Sequence, residues 1–178
     1  PLSDTLVLQR AMQYAATFGY TLWLRPQDAY LGRGVAASGA LATRMGLSGV
    51  PVAAETIAVH TIVELMRAIP ASAPGGAAAR VHLCRLSSAQ GVALVRAAKQ
   101  AGLPLSCDVS INSLHLIDHD IGYFDSRARL NPPLRQQGDR QALSAGLADG
   151  TIDALVSDHN PVAADAKTLP FAHAEPGA

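Results

Sequence analysis

Four short apolar runs alternate with four segments of helical periodicity, and that alternation restricts the chain to a parallel α/β architecture. The runs are Tyr20 to Leu24, Val81 to Leu86, Leu103 to Val109 and Ile152 to Ser157. Ahead of the first, Ser3 or Asp4 caps a helix carrying Leu8, Ala11, Met12 and Ala15 at 3,4 spacing, with Gly19 as its stop. A second helix follows Pro51 and places Ala58, Ile62, Leu65 and Ile69 on one face before Pro70. The third is capped by Ser87 or Ser88 and runs through Val92, Val95 and Ala98 to Gly102. The fourth lies near Asp139 to Ala148, with Leu143 and Leu147 inward and Gly150 as its stop. The order αβαβαβαβ, with crossovers between parallel strands, fits either an open doubly wound sheet or part of a closed barrel. Leu31 to Gly49 reads as a glycine-rich loop and Ala71 to Ala79 as a small-residue loop. No GxGxxG or GxxxxGK fingerprint follows any strand, which weakens nucleotide-binding readings.

A length of 178 residues suits a single domain over 1–178. Hydrophobic residues make up 49% of the chain and charged residues only 16%, so part of its surface is expected to be covered by other protein. The formal net charge is zero and no Lys/Arg run is present, which argues against nucleic acid as a partner. No apolar stretch approaches the roughly 20 residues of a membrane span, and no signal-peptide pattern opens the sequence, so a cytoplasmic location is expected. Cys84 and Cys107 both fall in predicted strands among apolar neighbours and read as buried free thiols.

The last apolar run delivers Ser157-Asp158-His159-Asn160-Pro161 to the carboxyl end of a strand. Parallel α/β folds place their chemistry there, which makes Asp158 a candidate catalytic carboxylate; the plainer reading is a cap for the loop after the strand. His115 and His119 stand at i,i+4 spacing in a segment expected to be irregular and exposed, and neither they nor His60 and His173 receive a role.

Several collinear motifs together resemble the dihydroorotases of the amidohydrolase superfamily. They are Asn131-Pro132-Pro133-Leu134-Arg135, Asp149-Gly150-Thr151-Ile152-Asp153 with Ser157-Asp158-His159, Val81-His82-Leu83-Cys84-Arg85-Leu86-Ser87-Ser88, and Leu22 to Asp28. The closest resemblance is to the non-catalytic pseudo-dihydroorotases that associate with aspartate carbamoyltransferase. The resemblance implies a (β/α)8 TIM-type barrel, of which this chain supplies about strands five to eight. A half barrel leaves two sheet edges open, so the remaining half or a second copy is an expected partner.

The resemblance also assigns residues. Asp158 stands at the family's catalytic carboxylate and Asn131 at an asparagine that contacts substrate. Arg25 and Arg85 stand where two zinc-binding histidines belong, Val162 replaces a substrate-binding histidine, and Ile111-Asn112-Ser113 replaces a Pro-His-His. A guanidinium is protonated at any usable pH and has no lone pair for a metal. The resemblance, with these departures, therefore implies a protein without zinc, with Asp158 paired to Arg25 or Arg85, acting as a structural subunit with aspartate carbamoyltransferase. The alternative is an active zinc dihydroorotase interconverting N-carbamoyl-aspartate and dihydroorotate with Asp158 as acid/base, its metal held by residues outside this chain together with Asp158. A third reading has the two arginines holding a carboxylate or phosphate in the old pocket.

Overall fold

The structure, a computed structural model, describes residues 4–69 and 78–177. Ser3, Pro70 and the small-residue stretch as far as residue 77 lie outside the described residues. Helix α1 (Thr5–Phe18) is capped by Asp4, whose carboxylate accepts from the amides of Leu6 and Val7. It ends at Gly19, where φ of 66° is a conformation that glycine adopts without Cβ strain. Strand β1 (Thr21–Leu24) follows.

The segment read as a loop contains more order than its glycines suggest. Strands β2 (Ala36–Ala37) and β3 (Gly49–Val50) pair in parallel around the short helix α2 (Ala40–Met45). Ala36 and Ala42 form a small separate core with Ile121 and Phe171. Small residues permit that close packing, and the same composition is why the segment reads as a loop.

The main series continues with α3 (Ala53–Ala68), β4 (Arg80–Leu86), α4 (Ala89–Gln100) and β5 (Leu105–Ser110). A short helix α5 (Ile111–His115) precedes an irregular stretch, and α6 (Gln137–Ala148) and β6 (Ala154–Val156) complete it. The four-stranded sheet has the order β1-β4-β5-β6, every neighbour parallel. Helices α1, α3, α4 and α6 pack on one another in the same order. Strand order therefore never reverses, and the helices form one layer over one sheet face. A doubly wound sheet would reverse its order and carry helices on both faces, so the arrangement is that of a barrel segment.

The core lies between sheet and helices. Leu8, Met12, Val59, Ile62, Val63 and Met66 meet Val81, Leu83, Cys107 and Val109, with Val92, Val95, Leu143 and Ile152 extending the cluster. Alternation turns the intervening residues to the opposite face, so Trp23, His82, Cys84, Ser106 and Asp108 face away from the helices. Trp23 is 69% exposed there and its ring lies 4.4 Å from that of His82.

Two expectations fail at this level. Cys107 is buried in the core, and burial pushes its thiol up to about 12, but Cys84 is only half-buried, on the polar face. Its apolar neighbour Leu83 points to the opposite, core face, and Leu86 reaches the core only past the register shift that begins after Leu83. The last apolar run is also not a buried strand. Only Ile152 is buried, while Leu155 is 48% exposed, because β6 pairs with β5 alone and forms a sheet edge. Among the described residues no helix is long and apolar enough to cross a membrane.

One buried carboxylate ties these layers together at the carboxyl end of β4. Glu55, 4% exposed, accepts from the amide and hydroxyl of Ser87 at 2.8 and 2.6 Å and from the amide and hydroxyl of Ser88. Ser88 in turn caps α4, and the Ser87 hydroxyl accepts from Arg135 Nε at 2.9 Å. Arg135 of the Asn-Pro-Pro-Leu-Arg motif is thus linked to Glu55 through one hydroxyl, and the two buried charges offset each other. A Cβ at Gly91 would sit 2.1 Å from Glu55 Oε1, so glycine is required where α4 approaches this carboxylate. Replacing Glu55 leaves the buried amides and hydroxyls of Ser87 and Ser88 without their acceptor and the buried Arg135 guanidinium without a nearby negative charge. Glu55→Ala is expected to lower the unfolding free energy of the full-length protein by about 3 kcal/mol, read from urea denaturation.

Candidate functional site

The carboxyl ends of β1, β4 and β6 bring the sequence-selected residues to one place. Past Leu83 the pairing of β4 with β5 shifts register, and Arg85 adopts φ of 59°. That left-handed conformation is costly for a residue with a Cβ, by about 1 kcal/mol or more. It is held by Asp108 Oδ1, which accepts from the Arg85 amide at 2.6 Å. Asp158, two residues beyond β6, is also left-handed, with φ of 52°.

Both ends of one ion pair are therefore set by unusual backbone conformations. Arg85 Nη1 donates to Asp158 Oδ1 at 2.7 Å, and the side chains are 27% and 14% exposed. Arg25, just past β1, donates to Asn131 Oδ1 instead. Of the two arginines expected to pair with Asp158, Arg85 does so. Arg25 takes the neutral amide of Asn131, which reaches it from the segment before α6. Burial and the nearby Arg85 lower Arg25 to about 10, with Asp158 and Cys84 pulling the other way, so it stays protonated at neutral pH. Arg25, Arg85, Asn131 and Asp158, with Asn160 and Gly177, line a cavity of about 120 Å³.

Beneath the ion pair lies a second set of polar residues that sequence reasoning left without a role. His82 is 8% exposed and Asp108 2%. The His82 ring contacts Ser106 Oγ through Nδ1 at 2.8 Å and Asp108 Oδ2 through Nε2 at 2.9 Å. Cys84 stands beside them, its thiol raised by burial and by Asp108, with Arg85 and Arg25 opposing. The signal for this cluster was available: His82, Cys84, Ser106 and Asp108 occupy alternate positions in strands whose other positions are apolar. Glu55 carried no such signal, because it sits in the first turn of a helix where an acidic residue is usually solvated.

The remaining sequence candidates are not drawn into the site. His60, His115, His119, His159 and His173 are exposed, and Asp118 holds the ring of His119 at 2.9 Å. Ile111, Asn112 and Ser113 belong to α5, and Val162 is half-buried.

Comparison with known proteins places this geometry. A scan against protein-family models found no match. Among curated proteins, a dihydroorotase-like protein of Pseudomonas aeruginosa is 40% identical over 172 residues, which is 96% of this chain and 39% of that protein. A dihydroorotase of Anaeromyxobacter sp. is 38% identical over 174 residues, again 96% of this chain and 38% of the relative. The chain belongs to the dihydroorotase family. It spans about two fifths of the length of these relatives. Among solved structures, an L-hydantoinase from Arthrobacter aurescens superposes with a TM-score of 0.82 at 20% identity, covering 100% of this chain and 39% of that one. A dihydroorotase from Saccharomyces cerevisiae, in complex with 5-fluoroorotic acid, gives 0.67 at 15% identity, covering 96% of this chain and 42% of its own. At such identities these structures establish the fold alone, a partial barrel of parallel strands.

Dihydroorotases are usually zinc-dependent, so the donors at this site decide whether zinc fits. At the positions where the resemblance implies metal-ligating histidines stand Arg25 and Arg85, which offer no lone pair and carry positive charge. Asp158 is committed to Arg85. His82, Cys84 and Asp108 have ligand atoms within 4.8 Å of one another. Both ring nitrogens of His82 and both oxygens of Asp108 already serve each other, Ser106 and the Arg85 amide. Among the described residues, the donors at the positions the resemblance assigns do not fit zinc.

The ion pair is partly desolvated, which raises its worth above that of a surface pair. A double-mutant cycle with Arg85→Ala and Asp158→Ala, measured by chemical denaturation, is expected to give a coupling of about 1–2 kcal/mol. Additive effects of the two substitutions would contradict the pairing.

Proposed function

We propose that this protein is a non-catalytic member of the dihydroorotase family that lacks the zinc centre and serves as a structural subunit with aspartate carbamoyltransferase. One observation carries the reading: Arg85 ion-pairs with Asp158 at the carboxyl end of the strands, where the resemblance puts a metal ligand beside the catalytic carboxylate. The pair removes a metal donor and engages the group that would move a proton during ring opening.

The surface supports a scaffold role. Leu6, Val7, Tyr14 and Phe18 expose a stripe along α1, each more than half accessible, and Trp23 exposes the polar sheet face. Sheet edges at β1 and β6 have no further neighbour among the described residues. Open edges and exposed aromatics are stable when other protein covers them. The four missing strands of the barrel cover the sheet, and the transferase chains contact the assembled barrel.

Full-length protein supplied with zinc is expected to hydrolyse dihydroorotate no faster than buffer and to co-elute with aspartate carbamoyltransferase from its own source in size-exclusion chromatography. Zinc-dependent turnover would reject the non-catalytic reading in favour of an active dihydroorotase. Absence of co-elution would reject the structural role.

A further inference from the structure

Three charged side chains line the small cavity at the carboxyl ends of β1 and β4, and their charges do not cancel. Arg25 and Arg85 supply two positive charges and Asp158 one negative. Asp158 is engaged by Arg85 at 2.7 Å. Arg25 has the neutral oxygen of Asn131 as its partner, and among the described residues it forms no ion pair. The carboxylate of Asp108 is engaged elsewhere, with one oxygen on His82 Nε2 and the other on the Arg85 amide. Burial lowers Arg25 first and the nearby Arg85 second, with Asp158 and Cys84 opposing, so the guanidinium is partly desolvated beside a second cation.

The donors are also held in place. Arg85 and Asp158 are fixed by left-handed backbone conformations, and Arg25 is fixed by Asn131. A planar guanidinium with unused N–H groups facing a cavity matches the geometry of a carboxylate or phosphate, and little side-chain freedom remains to be lost on binding. Asn160 adds a neutral polar group to the same wall.

We propose that this cavity binds a small oxyanion, a carboxylate or phosphate group, through Arg25, with Arg85 as the second cation and Asp158 as the charge that limits affinity. The inference deepens the reading given above, because it rests on arginines rather than a metal filling this place. The protein would then retain a ligand site of opposite charge preference to the metal centre it replaces.

Isothermal titration calorimetry on the full-length protein, with inorganic phosphate and with acetate in a buffer of weakly coordinating anions, tests it. At least one anion is expected to bind at one site per chain. Arg25→Gln should weaken binding by roughly tenfold or more, whereas Arg67→Gln, at the exposed pair with Glu64 in the last turns of α3, should leave it unchanged. Asp158→Asn should tighten binding by roughly tenfold, since among the described residues it removes the only negative charge lining the cavity. Opposite effects at Arg25 and Asp158 separate binding from loss of folding. Binding of phosphate alone or of acetate alone assigns the ligand class. No binding of either anion, binding that survives Arg25→Gln, or weakening by Asp158→Asn would overturn the inference. If that happens in a zinc-free protein, the metal-free reading still stands; if the protein holds zinc, that reading fails instead.

Discussion

Asp108 accepts one hydrogen bond from the backbone amide of Arg85 and shares another with His82, and the geometry of the site follows from that carboxylate. The first contact holds Arg85 in a left-handed conformation as β4 leaves its register with β5. A residue in ordinary extended geometry would continue the strand alternation, but the turned backbone sends the guanidinium to Asp158 at the end of β6. Asp158 is itself left-handed, so the ion pair joins two locally strained backbones whose cost is offset by charge-assisted hydrogen bonds. Glu55 performs the analogous task beyond Leu86, fixing Ser87 and Ser88 and through them the start of α4 and the buried Arg135. Two buried carboxylates thus determine where Arg85, Ser87 and Ser88 of the β4–α4 connection point.

The sheet explains why so polar a set can survive in an apolar chain. Helices cover one face and take nearly all the aliphatic residues. The other face carries Trp23, His82, Cys84, Ser106 and Asp108, and its polar members satisfy one another. In a closed barrel this face is the interior, where each buried polar group needs a partner. The His82, Ser106 and Asp108 network meets that requirement from within this chain, whereas Trp23 and the edges of β1 and β6 are left for other strands to cover.

Much of this was legible in the sequence, for physical reasons that also mark where legibility stops. The alternation of strands and helices survives translation into structure because period 2 and period 3.6 are imposed by the backbone itself. Single-residue environments are less secure. Cys84 looked apolar because Leu83 precedes it and Leu86 follows two residues on, yet Leu83 points to the opposite face and Leu86 turns into the core past a register shift. The run ending at Val156 looked buried because burial is inferred from composition, while β6 has no second neighbour here. Arg25, Arg85, Asn131 and Asp158 were all selected, and they do line one cavity. The choice of partner was not legible: Asn131 lies 106 residues from Arg25, and only the fold shows that it captures that guanidinium and leaves Asp158 to Arg85.

The account turns on whether two guanidiniums occupy the place of a metal. Elemental analysis of full-length protein purified without chelator, set beside the Arg25→His/Arg85→His double variant, addresses that most directly. The natural protein is expected to hold zinc far below stoichiometry, and the double variant, with two imidazoles and a released Asp158, to hold more. Near-stoichiometric zinc in the natural protein would contradict the account.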